Sequence, residues 1–438
     1  MHDKPPREPH PADLLGALPP DCAPHLLDAR GPGGWGSAIG AVTGRRTLFG
    51  LRPEIEFHGG AGALAEAERW LAGFRGGAPL DAVLIGSLSY ELGREFAPGA
   101  LGPAPGSEPP TVALSGFRAL YCRDEESGRG AIAGSSARAR RALREELLAL
   151  PARVDAPALP TGLAATERTP EPAYLSSVRR VQGYIREGDV YQVNLSRRLE
   201  APAPDTRALR TLYRRLAEAT RAPFCAYLEC ADRTILSSSP ERFLRSEGAR
   251  VETCPIKGTR PRGRSPAEDA ALGAELAASA KDRAEHVMIV DLERNDLGRV
   301  CEIGSVCVPQ LAALQSFSDV HHLVSAVRGR LREPADWVGL LQATFPGGSI
   351  TGAPKLRAMQ IIAELEPVPR GVYTGAIGCI DAAGGVDLSI AIRTAVASRG
   401  ELQLALGGGI VADSAPADEL RETRDKGRAF ARSWGLAV

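Results

Sequence analysis

The sequence predicts an α+β fold, on three observations. Two stretches read as antiparallel meanders: "FCAYLECADRTILSSSPERFLRSEGARVETC" from Phe224, and "GAIGCIDAAGGVDLSIAIRTAVASRGELQLALGGGIV" from Gly375. Short turns at Ala231-Asp232, Glu247-Gly248, Ala383-Gly384-Gly385 and Arg399-Gly400 join their apolar runs. Helical periodicity fills the intervals, over roughly residues 173–187, 205–219, 266–290, 354–364 and 416–434. Meanders covered by helices argue against a doubly wound parallel sheet.

From the N-terminus, "MHDKPPREPHPADLL" is polar and proline-rich, so residues 1–20 are expected to form a disordered tail with no signal-peptide core. Residues 21–160 follow as an N-terminal segment with strand-like runs at 82–93 and 111–122 and an amphipathic helix over 136–150. A stretch over 151–172 carries five prolines and no periodicity, which suits a linker. Residues 161–438 hold the denser pattern and the candidate chemistry.

The 438 residues contain 53 Lys plus Arg and 53 Asp plus Glu, a balance that leaves no electrostatic footprint for nucleic acid or an anionic membrane. No apolar run is long enough to span a bilayer. The eight cysteines are scattered without a CxxC pair, so they read as buried reduced thiols in a cytoplasmic protein.

The stretch "VETCPIKGTRPRG" places Lys257 directly behind a strand. With a turn at Glu247-Gly248, antiparallel register sets Glu241 opposite Cys254, three residues from Lys257. An acid and an amine can then face one cavity, or form a plain surface ion pair. On the last helix, Leu420, Gly427, Phe430, Ala431 and Trp434 form the apolar face. Glu419, Glu422 and Lys426 fall beside that stripe, where inward carboxylates need a cation. A bound metal supplies one; an internal Glu422–Lys426 pair is the alternative. Asp282 and Glu285, at i, i+3 on a helix running into an apolar strand-like segment, either add oxygen ligands to a set suited to Mg²⁺ or, with Glu285 pairing Lys281, lie on a solvated face.

The loop "TFPGGSITGAPK" lacks Walker A spacing, but its N–H groups suit a carboxylate. "LGGGIVADS" suggests close backbone approach to a ligand or a plain turn. Arg393, in the apolar run "IAIRTA", calls for a substrate carboxylate or a structural acid. His322 precedes an apolar run and is either a site residue or a satisfied core histidine.

The ordered blocks "PIKGTRPRG", "DLERNDLGRV", "HHLVS", "FPGGSITGAPKLRAMQII", "GVYTGAIGCID", "LSIAIRTA" and "GGGIVADSAPADELRETRDKG" resemble the chorismate-utilising enzymes. These include the large subunits of anthranilate and aminodeoxychorismate synthases and the isochorismate and salicylate synthases. The resemblance covers about residues 165–438, and "GSLSYELGREF" extends it more weakly upstream. It implies an anthranilate synthase component I-like α/β sandwich: two packed antiparallel sheets with helices outside, and the N-terminal segment within the same body.

It also implies roles. Gln192 stands where isochorismate-type members carry a lysine, and "PIKGT" rather than PIAGT resembles the aminodeoxychorismate branch. Glu285 and Glu422, with Glu419 and Asp282 in support, would hold Mg²⁺ against the ring carboxylate of chorismate. Arg393, Tyr373, Gly408 and Gly409 would grip the enolpyruvyl carboxylate, with Lys426 near the metal, and Gln192, His322 and Ser349 against the substrate. Lys257, as a neutral amine, would attack C2 while Glu241 protonates the departing C4 hydroxyl. Ammonia, added at C4, would come from a separate glutaminase subunit, since no glutaminase block is present. Ala29 in "HLLDARG" replaces the serine of tryptophan-binding members, which argues against such a site. Anthranilate synthase component I and a catalytically silent chorismate-binding subunit are the alternatives.

Overall fold

The computed structural model describes residues 9–36, 44–102, 110–151, 165–317 and 320–435. Among these, every ladder is antiparallel and the strands form two sheets. The first sheet runs, in spatial order, Gly352–Ala353, Gln192–Pro202, Glu401–Ile410, Thr394–Ser398, Thr234–Ser239, Phe224–Glu229, His25–Asp28, Arg46–Gly50, Leu120–Asp124 and Gly130–Ala133, with Thr166–Glu167 paired to Gln192–Pro202. The second runs Ile256–Pro261, Val320–Arg330, Arg250–Cys254, Arg242–Glu247, Val386–Ile390, Ala376–Asp381, Val83–Leu88, Val112–Phe117 and Ile55–Gly59, with Cys307–Ser316 paired to Val320–Arg330.

Strand alternation sorts the core into layers. Leu27, Leu48, Ile85, Phe117, Phe224, Ala226 and Ile377, drawn from both sheets, form one buried cluster between them. Their neighbours point outward. Leu26, Tyr227 and Leu404 meet helices Thr206–Thr220 and Pro416–Trp434. Leu84, Leu114 and Leu388 join helices Ala61–Ala72, Glu171–Arg186, Trp337–Thr344 and Lys355–Leu365. The sandwich with outer helices is the expected one.

Four expectations need correction. Residues 9–20 are not a disordered tail: Pro11–Leu14 and Leu15–Ala17 make helical turns, and Ala12, Leu15 and Leu18 are buried in the first sheet's outer core. Residues 1–8, and residues 152–164 with the boundary at 160, lie outside the described residues. The apolar run after Glu285 is not a strand, because Ala280–Gly298 is one helix, separated from Pro266–Ala278 by a break at Ser279. In the first hairpin Arg242, not Glu241, faces Cys254, because the turn lies one residue later and a bulge shifts the register between Arg242 and Arg245. The eight cysteines are unpaired, but Cys307 is exposed at the start of its strand.

Candidate active site

Glycines on the Glu401–Ile410 strand form the floor on which the site is assembled. A Cβ on Gly409 would lie 2.5 Å from Lys257 Nζ and 3.0 Å from Gln192 Cδ. One on Gly408 would lie 3.5 Å from Glu419 Oε2, Glu422 Oε1 and Lys426 Nζ alike, and one on Gly407 2.8 Å from the Tyr373 hydroxyl. A side chain at Gly407 or Gly409 would collide with the groups over the strand, so glycine at these two positions is a requirement of space.

Lys257, from the Ile256–Pro261 edge strand of the other sheet, sets its Nζ 3.4 Å from Glu285 Oε2. Glu241, just ahead of Arg242–Glu247, is only 5 % exposed. Burial pushes its carboxyl up to about 7, against the pull of the Ser349 hydroxyl, the Ile256 N–H and the Lys257 and Lys426 charges. Both amide atoms of Gln192, itself fully buried, have no hydrogen-bond partner among the described residues. Buried polar atoms are rarely left so, and these are groups a bound molecule would satisfy.

The acidic set is held by helices Ala280–Gly298 and Pro416–Trp434. Lys426 Nζ donates to Gly407 O at 2.9 Å and meets Glu422 Oε1 at 2.6 Å, and its charge lowers the Glu422 pKa. Glu419 accepts from Ser414 Oγ at 2.6 Å, while burial raises its pKa. Asp282, on the first turn of its helix, is engaged by Arg260, from which Oδ2 accepts at 3.3 Å. Among the described residues no preformed cage of three or more His, Cys, Asp or Glu ligands exists. Two or three carboxylates opening on a cavity, neutralised meanwhile by Lys257 and Lys426, nonetheless fit Mg²⁺, which keeps waters and substrate oxygens in its shell.

Arg393 is not within a strand. It sits in the crossing from Val386–Ile390 of the second sheet to Thr394–Ser398 of the first, at φ 51°. Its guanidinium has no hydrogen bond or ion pair to another described residue, and burial depresses its pKa despite the nearby Tyr373 and Glu422. A half-buried cation without a partner among the described residues, at a positive-φ position, marks a place for an anion. His322, 4 % exposed, has Nδ1 3.1 Å from Gly258 O and 3.0 Å from Thr259 Oγ1. Burial and the Arg393 and Lys426 charges push its pKa down to about 4, so the ring is neutral at pH 7. On the far side of Tyr373 a cavity of about 310 Å³ opens, lined by Arg370, Thr394, Gln403 and Ala405.

The fold thus brings together Lys257, Glu285, Gln192, Tyr373, Gly408, Gly409, Glu419, Glu422 and Lys426 along one strand, with Glu241 and Ser349 behind Lys257 and Arg393 beside Tyr373 and Glu422. Sequence reading missed Glu293, buried close enough to Glu241 for each charge to oppose the other, its Oε2 accepting from Thr253 at 2.8 Å. A charged residue on the inner side of a long helix, eight positions from Glu285, was the available signal.

The sequence pattern of the family described as chorismate binding enzyme matches residues 32–432. The chain is 42% identical over 383 residues to anthranilate synthase component 1 of Streptomyces coelicolor, covering 80% of this chain and 72% of that protein. It is 50% identical over 253 residues to aminodeoxychorismate synthase component 1 of Salmonella typhimurium, covering 58% of this chain and 55% of that protein. The match therefore spans about half the length of that relative. Anthranilate synthase component I from Streptococcus pneumoniae superposes with a TM-score of 0.78 at 29% identity, covering 90% of this chain and 93% of that one.

Proposed function

This chain belongs to the family of chorismate binding enzymes, and on that footing we propose that it aminates chorismate at C4, as the large subunit of an aminodeoxychorismate synthase. The observation that carries the reading is the Lys257 amine on the cavity floor, beside Glu285 and packed against Gly409. The 50% identity to an aminodeoxychorismate synthase component supports it.

Arg393, Tyr373 and the Gly408–Gly409 backbone bind the enolpyruvyl carboxylate, and Gln192, Ser349 and His322 orient the ring. Glu285, Glu419 and Glu422 would hold Mg²⁺, which when bound neutralises the ring carboxylate. As the neutral amine, Lys257 Nζ attacks C2, both ring double bonds shift (C1=C2 to C1=C6, C5=C6 to C4=C5), and the C4 hydroxyl leaves as water with the proton that Glu241 donates. Ammonia then attacks C4, both double bonds return to C5=C6 and C1=C2, and the C2–N bond breaks to release Lys257 and 4-amino-4-deoxychorismate. Glu241 suits its part because burial keeps it protonated far above the ordinary carboxylate range. The ammonia comes from a glutaminase partner. Among the described residues no helix is long and apolar enough to cross a membrane, and the work is assigned to the cytoplasm.

A second reading, anthranilate synthase component I, is favoured by the longer match to the Streptomyces coelicolor protein. Incubation with chorismate, Mg²⁺ and ammonium, followed by an aminodeoxychorismate lyase and mass spectrometry, separates the two. 4-Aminobenzoate supports amination at C4; anthranilate overturns it in favour of the second reading. No turnover, even with a glutaminase partner, points to a silent subunit.

A further inference from the structure

We infer that Trp35 and Arg242 are positioning residues for Glu241, the Trp35 indole acting as a wedge that seats Arg242 beside the acid. The inference rests on the amination reading for the step that Glu241 serves. Glu241 precedes a strand whose ladders are irregular on both sides. Pairing with Arg250–Cys254 shifts between Arg242 and Arg245, and pairing with Val386–Ile390 shifts between Arg242 and Leu244. A bulge re-aims a side chain but interrupts the pairing that would fix it. The backbone of Glu241 has one cross-strand tie, accepting from Ile390 N at 3.0 Å, and otherwise exchanges bonds with Ser239 Oγ at 3.3 and 3.5 Å.

The Arg242 side chain, wholly buried, makes up what the ladders lack. Its Nη2 donates to Gly34 O at 3.2 Å and lies 3.3 Å from Asp387 Oδ1, Nη1 is 3.9 Å from Glu252 Oε1, and the guanidinium lies 4.9 Å over the Phe224 ring. Asp387 Oδ2 in turn accepts from Gly36 N at 2.8 Å. One short turn, Gly34 to Gly36, therefore grips both members of the Arg242–Asp387 pair.

Trp35 stands between those two glycines, 2 % exposed in the cluster between the sheets. Its indole N–H donates to Cys225 O at 2.9 Å and its ring meets Phe224 edge-on at 5.1 Å. A Cβ on Gly31 or Gly34 would overlap the carbonyl oxygens of Ala222 or Pro223, so only glycine lets the turn press this deep. Burial of the indole is what keeps a glycine-rich turn there.

The Glu241 carboxyl is faced by Lys257 of the edge strand, Lys426 of the last helix, Glu293 of the Ala280–Gly298 helix and Ser349 of the glycine loop. Displacement among these groups alters both its aim and its proton affinity. In Trp35→Ala and Arg242→Lys, kcat for ammonium-dependent turnover should fall about tenfold while the chorismate KM stays within about twofold. The alkaline limb of the kcat profile should move to lower pH, as water reaches the loosened carboxyl. Trp35→Phe should retain most of kcat, and free indole should restore it in Trp35→Ala by refilling the cavity.

Variants that lose thermal stability yet keep kcat and the alkaline limb would overturn the inference. The Glu241 titration is also read without turnover, as the difference between ¹³C-glutamate spectra of each variant and of its Glu241→Gln derivative. An inactive wild type would therefore sink the amination reading, while an unshifted Glu241 titration in Trp35→Ala and Arg242→Lys would sink this one.

Discussion

Lys257 and Glu285 meet across the cavity at 3.4 Å, the amine from an edge strand and the carboxylate from the helix that covers it. Each side chain is less than a fifth exposed, so the pair is shielded from the screening that weakens surface ion pairs. In the proposed cycle the two have different tasks, the amine for carbon and the carboxylate for the metal.

Lys257→Ala should abolish 4-amino-4-deoxychorismate formation while the circular dichroism spectrum and melting temperature stay near wild type. The altered motif then reads PIAGT, and a leak toward anthranilate is expected in the mass spectrum. Unchanged amination at C4 would dispose of the covalent role.

Glu241→Gln should lower kcat by about 10²–10⁴. In the wild type, kcat should fall as pH rises through about 7, where the acid loses its proton. Stability moves the same way. The folded-state pKa is raised above its ordinary 4.5, so the cost of ionising Glu241 is absent below pH 4.5 and grows until about 7. Glu241→Gln should therefore match the wild type at pH 4 and be more stable at pH 8, by about 3 kcal/mol at most. Urea denaturation at both pH values checks this.

Arg393→Met should leave the ligand-free protein at least as stable as the wild type, because the half-buried guanidinium bonds to no other described residue. The chorismate KM should rise at least tenfold, about 1.4 kcal/mol of lost binding. A variant that is less stable and binds chorismate normally would make Arg393 a structural residue.

Gly409→Ala should leave the fold in place and impair the chemistry. Its methyl would meet the far ends of Lys257 and Gln192, which are able to swing aside, and not a rigid backbone. The amount of Lys257 adduct trapped in a single turnover should fall with kcat, whereas trapping at the wild-type level would show that the amine does not work where it rests.

Much of this was legible in the sequence. Both meanders, the placing of Glu419, Glu422 and Lys426 on one side of the last helix, and the glycine run followed from period and turn chemistry. What escaped depended on distant partners. The apolar run His286–Val290 looks the same in a strand or a buried helix, and only its continuation to Gly298 decides. Arg393 reads as a strand residue because the crossing between sheets is one tight bend at positive φ, which leaves no mark on an arginine. Asp282 reads as a ligand by spacing alone, yet Arg260 claims it. Trp35, in a run of glycines, carries no periodicity at all.

The order of strands has one more consequence. The stretch before residue 134 does not sit beside the catalytic region; it is woven into both sheets, His25–Asp28 against Phe224–Glu229 and Val83–Leu88 against Ala376–Asp381. Excising it would bare two long strand edges at once, each lined with apolar side chains and each a template for another chain. A fragment lacking this part is therefore expected to aggregate, although the part itself contributes none of the proposed reacting groups.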